Sequence, residues 1–224
     1  MTGITVKELL SAEGTLAEKL LCSVTYPFEA LKKIGDYIKE IGPALDKEIY
    51  EERGEGIWIA RSAKIAPSAS ITGPCIIGER TEVRHCAFIR GNALVGNDCV
   101  VGNSTELKNV VLIGTVQVPH YNYVGDSILG FHSHMGAGSI TSNVMSDKSL
   151  VVLKKGEERL ETGLKKFGVI LGDYVEVGCG TVLNPGTIVG KNTNIYPLSS
   201  VRSVIEPNSI YKKSGETVKK RYEC

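Results

Sequence analysis

Between residues 108 and 126 the chain gathers side chains that can move protons or hold anions: Lys108, His120, Tyr123 and Asp126. Arg90 precedes them, and His132, His134 and Asn143 follow. An imidazole titrates near neutrality, so it can take a proton from an attacking nucleophile and give it back. Ammonium and guanidinium groups can hold an anion. Each residue also has a plainer reading. A single His in a loop is usually incidental, and Gly-Asp, as in Gly125-Asp126, is common at turns. His132 and His134 lie two apart and share one face of a strand, which invites a metal. No third ligand stands near them and no Cys-x-x-Cys pair occurs, so no metal site is expected.

The elements that must position these residues announce themselves by a repeat. Every sixth residue from Ile59 is aliphatic: Ile59, Ile65, Ile71, Ile77, Val83, Ile89, Val95 and Val101. Four positions after each stands a small residue: Ala63, Ala69, Cys75, Thr81, Ala87, Ala93, Cys99 and Thr105. A helix repeats near 3.6 and a simple strand at two, so a period of six fits neither alone. It fits a prism of short strands with sharp corners, one branched residue per face pointing inward, each coil stacked on the next at ~4.8 Å. The chain is therefore expected to be an all-β solenoid. The pattern resembles the left-handed parallel β-helix of hexapeptide-repeat acyltransferases, and the handedness is implied by that resemblance.

Two interruptions break the repeat. It runs through Leu107 and Ile113 and resumes at Tyr123, Leu129 and Met135, with Ser127, Ser133 and Ser139 in the small slot. Ile113 to Tyr123 is ten positions, which predicts four inserted residues carrying Pro119 to Asn122. The second break, Asn143 to Phe167, is rich in charge around a Gly-bearing turn and predicts a loop or hairpin near 145–167 projecting from the prism. Two uses suit it equally: a solvated excursion, or an arm that reaches a neighbour or covers a cleft. The third run, Leu171, Val177, Leu183, Val189, Ile195 and Val201, is regular again.

Residues 1–52 follow helical spacing, with Phe28, Leu31, Ile34, Ile38 and Ile41 on one side, Pro27 at the start and Gly42-Pro43 at the stop. They predict a helical cap over the open end of the solenoid, where strand edges need cover. The solenoid is placed at 53–211 and a basic tail, a short helix or disordered end, at 212–224. The 224-residue chain has a net charge of +1, which gives no general pull toward nucleic acid or anionic membrane. No apolar run reaches spanning length and no signal peptide is evident. Of six cysteines, Cys75 and Cys99 occupy the small slot as buried thiols. A cytoplasmic protein is expected. No Gly-rich phosphate-cradling loop follows a strand near the N-terminus, so nucleotidyl transfer is not expected from this chain alone.

Three stretches carry a more specific resemblance: Val101–Lys108, His120–Asp126 and Gly136–Asn143. They resemble the acetyltransferase half of the bifunctional enzyme that makes UDP-N-acetylglucosamine, and related sugar-phosphate nucleotidyltransferases. That family reads V-G-N-x-x-E-x-K, then H-x-x-Y-x-G-D twelve residues after the Lys, then G-A-G-T-I-T-x-N; here Lys108 and His120 are also twelve apart. The likeness covers roughly residues 86–210. It implies that His120 is the general base that deprotonates a sugar amine attacking acetyl-CoA. It implies that Arg90, Lys108 and Tyr123 hold the sugar phosphate, with His134 and Asn143 at pocket positions. It implies that Ala137 and Cys179 contact the acyl donor, Cys179 standing where the family has Ser. Sites of this kind form between prisms, which implies a homotrimer. No metal is required.

Departures fall in the sugar pocket and the cofactor channel that the resemblance implies. His134 stands where the family has Asn, Val144 where it has Tyr, Gly91 where it has Pro, and Tyr196-Pro197 where it has small residues. The expected function is N-acetyl transfer to an amino-sugar 1-phosphate in nucleotide-sugar synthesis. The alternatives are a non-catalytic sugar-phosphate-binding or trimerisation module, and an O-acyltransferase of the same fold.

Overall fold

In the computed structural model, residues 1–221 are described; Tyr222, Glu223 and Cys224, the end of the expected tail, lie outside them. The chain winds as a parallel β-solenoid with three faces. The first face stacks Ile57–Ala60, Cys75–Ile77, Ala93–Val95, the second halves of Glu106–Leu112 and Tyr123–Leu129, then Val169–Leu171, Thr187–Val189 and Val204–Ile205. The second face runs from Lys64–Ile65 through Gln117–His120 to Ser209–Tyr211. The third runs from Ser70–Thr72 through Phe88–Arg90, the first halves of Glu106–Leu112 and Tyr123–Leu129, to Ser200–Val201. The repeat's aliphatic residues fill the prism, and the small slot is buried, with Thr81, Thr105, Ser127, Ser133 and Ser139 at 0% exposure.

The corners explain the period. Arg80, Cys86, Asn92, Asp98 and Ser104 all have φ between 49° and 57°, six residues apart, so each face ends in one left-handed residue. The next corners fall at Asn109, Thr115, Tyr121, Asp126 and His132, so the steps into Asn109 and Asp126 are one residue short. Strand register agrees: Val95 faces Leu112 and Leu112 faces Leu129, seventeen residues on in each case. The first break is therefore two one-residue deletions, not a four-residue insertion. The inward sequence runs Leu107, Leu112, Val118, Val124, Leu129. Ile113 turns out to the flank and Tyr123 to the third face's surface. The ten-position step from Ile113 to Tyr123 reads as an insertion only when Val118, the inward residue between them, is left out of the register.

The N-terminal segment is helical as expected, but it does not cap the end. Pro27–Lys32 forms a 3-10 turn and Ile34–Ile41 an α-helix. Phe28, Leu31, Ile34 and Ile38 pack along the flank, on the outward residues of the first face: Trp58, Ile76, Leu94, Val111, Ile128 and Ile170. The reason is in the strands. These outward positions are apolar, so this face is hydrophobic on both sides and needs a cover, each fully buried Ile or Leu contributing about 1.5–3 kcal/mol. At this end Tyr50–Gly54 covers the edge of the first face, pairing antiparallel with Ile57–Ala60.

The second break forms a hairpin, Val152–Lys155 with Glu158–Glu161. It does not project. Val151, Leu153, Leu164 and Phe167 are buried in the flank cluster, and Lys155 Nζ donates to Thr2 O at 3.0 Å and pairs with Glu206 at 2.9 Å. The tail also differs from expectation: Thr217–Lys219 returns antiparallel on Ser209–Tyr211 instead of forming a helix. Among the described residues, no helix is long and apolar enough to cross a membrane.

Inside the prism, burial pushes the Cys75 and Cys99 thiols up to about 12. They stay protonated in the fold but ionise in an unfolded chain above roughly pH 9. Stability is thus intact below that pH and falls between ~9 and about 12, by about 1.4 kcal/mol per pH unit for each thiol. Urea titrations from pH 7 to 10.5 are expected to show this decline, and Cys75→Ala with Cys99→Ala to flatten it. In the native protein both thiols should resist a thiol reagent that labels the exposed Cys22, Cys86 and Cys179.

Candidate functional site

His120 ends the second-face strand Gln117–His120, at the edge where the chain turns through Tyr121 onto the third face. Its backbone is fixed on both sides. The His120 N–H donates to Asn122 Oδ1 at 3.1 Å, and Gly138 N–H donates to His120 O at 3.0 Å. The residue is exposed, and among the described residues no hydrogen bond holds its ring. The main chain is rigid while the imidazole stays available.

Asn122 provides that rigidity. It is 3% exposed, and its Nδ2 donates to Gly136 O, Ser139 O and Ser139 Oγ at 2.9–3.1 Å. The sequence reading overlooked it. With the register corrected, Asn122 occupies the small slot between Thr105 and Ser139, where a bulkier polar residue stands out. Asn122→Ala should orphan the His120 N–H and buried acceptors, costing about 1–3 kcal/mol. A lower urea midpoint with unchanged m, and a smaller kcat, would be the signature.

The third face carries the second group. Lys108 Nζ bridges both oxygens of Asp126 at 3.0 and 2.9 Å. Asp126, 4% exposed, also accepts from Asn109 Nδ2 at 3.0 Å and from Asn143 Nδ2. Asn143 Nδ2 lies 3.3 Å from Tyr123 Oη. Burial first, and then the Asp126 charge, raise the Tyr123 phenol above its usual range, so it stays a neutral donor and acceptor. Arg90 pairs with Glu106 at 2.9 Å. The structure thus joins Lys108, Tyr123 and Asn143 through Asp126, which is both a corner and a hub. Tyr123 faces Glu106, Arg90's partner, in the register.

Ala137 and Cys179 lie on His120's edge, one coil after another. Gly180 N–H donates to Ala137 O and Leu198 N–H to Cys179 O, both at 2.9 Å. A Cβ on Gly136 would stand 2.7 Å from Cys179 N, so the coils stack closely here, while Ala137 and Cys179 themselves are exposed on the edge. His134 is elsewhere. It lies on the second face, its Nδ1 2.8 Å from Glu176 Oε2, a carboxylate one coil away that sequence distance had hidden.

Chemically, this arrangement offers an unpartnered imidazole beside the Ala137–Cys179 edge, with a face of paired charges, Lys108 with Asp126 and Arg90 with Glu106, next to it. A family model described as GMPPB C-terminal domain matches residues 71–195. The chain is 34% identical over 175 residues to the bifunctional protein GlmU of Methanococcus aeolicus, covering 70% of this chain and 42% of that one. It is 33% identical over 136 residues to GlmU of Methanococcus vannielii, covering 60% and 33%. It therefore spans less than half the length of these relatives. A hexapeptide transferase family protein from Anaplasma phagocytophilum aligns at 16% identity with a TM-score of 0.41, over 75% of this chain and 82% of that one.

Proposed function

The chain belongs to the GMPPB C-terminal domain family, and we propose that this member is an acetyl-CoA-dependent N-acetyltransferase acting on an amino-sugar 1-phosphate. The observation that carries the proposal is His120: a backbone clamped by Asn122 and Gly138, and a ring left free above the Ala137–Cys179 edge. Similarity to GlmU, whose name marks it as bifunctional, supports the reading. In the proposed step the sugar amine attacks the thioester carbonyl and His120 takes the amine proton. The C–S bond then breaks, and the imidazolium returns the proton to the departing CoA thiolate. Lys108, Tyr123 and Asn143 orient the acceptor, with Arg90 at the rim. The exposed small-residue edge accommodates the acyl donor. No metal enters the step.

We place the enzyme in the cytoplasm as a homotrimer. On the third face Phe88, Glu106, Tyr123 and Ile140 fall in one column, its two apolar ends, Phe88 and Ile140, 39% and 36% exposed, a surface suited to a second copy. The same column favours a second reading, a non-catalytic trimerisation module. Thiol release from acetyl-CoA with glucosamine 1-phosphate and galactosamine 1-phosphate tests the two. Turnover with either supports the enzyme; a folded trimer that releases no thiol with either overturns it.

A further inference from the structure

Two coils before His120, the same edge carries a second group of side chains that can do chemistry. Cys86 is the left-handed corner residue there, as Ser104 and Tyr121 are on the next two coils. The main chain joins the three coils: Ser104 N–H donates to His85 O at 3.0 Å and Tyr121 N–H to Asn103 O at 2.8 Å. Cys86 Sγ lies 3.1 Å from His85 Nε2, and His85 Nδ1 lies 2.7 Å from Ser68 Oγ, one coil further back. The same Oγ accepts the Cys86 N–H at 3.1 Å, so one hydroxyl holds both the imidazole and the backbone of the thiol. All three residues are exposed. Among the described residues no imidazole contacts the other exposed thiols, Cys22 and Cys179. Beside the group, Lys64, Glu82, Arg84, His85 and Asn103 line an open cleft of about 540 Å³ on the second face. Arg84 pairs with Glu82 at 3.1 Å, while Lys64 has no acidic partner among the described residues.

We propose that Cys86, His85 and Ser68 form a nucleophilic thiol site that exchanges with a small disulfide bearing carboxylates. An activated thiol needs a base at its proton and a third group that orients the base, and the three contacts fall in that order. Ser68 Oγ has two lone pairs, one for the Cys86 N–H and one for His85 Nδ1–H. The Nε2 lone pair then faces the thiol. In the step, His85 takes the Cys86 proton and the sulfur attacks one sulfur of the incoming disulfide. A new S–S bond forms, the old one breaks, and the departing thiolate collects the proton from His85. The incoming disulfide is the oxidant, reduced to one thiol bound to Cys86 and one released. Lys64 supplies the uncompensated charge that draws the carboxylates into the cleft. The site does not depend on the acyl-transfer reading.

The test is incubation of the reduced full chain with glutathione disulfide, the rate at each thiol being read by peptide mass. Cys86 is expected to form its mixed disulfide at least tenfold faster than Cys22 or Cys179. His85→Ala should slow Cys86 at least tenfold at an unchanged thermal midpoint, with Cys22 and Cys179 reacting as before. Lys64→Ala should slow exchange with glutathione disulfide about threefold at low salt and leave exchange with the neutral hydroxyethyl disulfide unchanged. A Cys86 no faster than Cys22 and Cys179, or a His85→Ala protein whose Cys86 reacts as in wild type, overturns the nucleophilic site. A Lys64→Ala protein that treats both disulfides as wild type does overturns the preference for carboxylates.

Discussion

His120→Ala is expected to lower kcat for thiol release by 10²–10⁴-fold, the usual contribution of a positioned general base, with little change in KM. The split follows from the geometry. The ring holds no structural hydrogen bond among the described residues, while the clamp from Asn122 and Gly138 uses only the main chain. Alanine keeps that clamp, so the fold and the acceptor's contacts at Lys108 and Tyr123 stay in place. The check is steady-state kinetics beside a thermal melt. Loss of turnover with an unmoved midpoint supports the base; wild-type turnover removes His120 from the chemistry.

Gly102→Ala is expected to be the most damaging single-methyl change in the solenoid. A Cβ at Gly102 would stand 1.6 Å from Pro119 O and 1.9 Å from Pro119 C, and both atoms are backbone. Nothing flexible can yield, so the two coils must separate. Overpacking commonly costs 1–3 kcal/mol, and a main-chain obstacle places this case at about 3 kcal/mol or more. Pro119 immediately precedes His120, so separation also displaces the proposed base. Chemical denaturation and kinetics on one preparation would show both losses together. A variant as stable as wild type would mean that the coils are looser here than the close contact implies.

Much of the prism was legible because its rule is local. One branched residue per face and one small residue per slot recur every six positions, and Ile59 to Thr105 obeys without exception. The rule's failure at 107–129 was legible only as a failure. Two corners came one residue early, and the deletion was mistaken for a loop because the left-handed corner residues, Asn109 and Asp126, leave no periodic mark of their own. The flank was harder. Trp58, Ile76, Leu94 and Val111 signal a second buried side, but which segment covers them is a long-range matter that spacing does not encode. At the site, Lys108, His120, Tyr123 and Asn143 were found by motif. Asn122 was missed because its role is to hold a backbone, and Glu176 because it is adjacent to His134 only across coils. Ser68 and His85 belong to no motif and meet only because one coil stacks on the next.

The cover along the flank changes how the molecule comes into being. In a plain solenoid each coil touches only its neighbours, and order can grow from either end. Here residues 4–38 bury their apolar side chains against coils as distant as those of Ile76 and Ile170, and Leu9 O accepts the Asp173 N–H at 3.0 Å. During synthesis these residues leave the ribosome before the coils they cover, when that surface does not yet exist. They remain a greasy, unpartnered segment until more than half of the prism has wound, and exposed apolar surface of that sort is what chaperones bind. Docking then fastens coils that would otherwise gain order one by one, so residues made before the prism find their place only after most of it has formed.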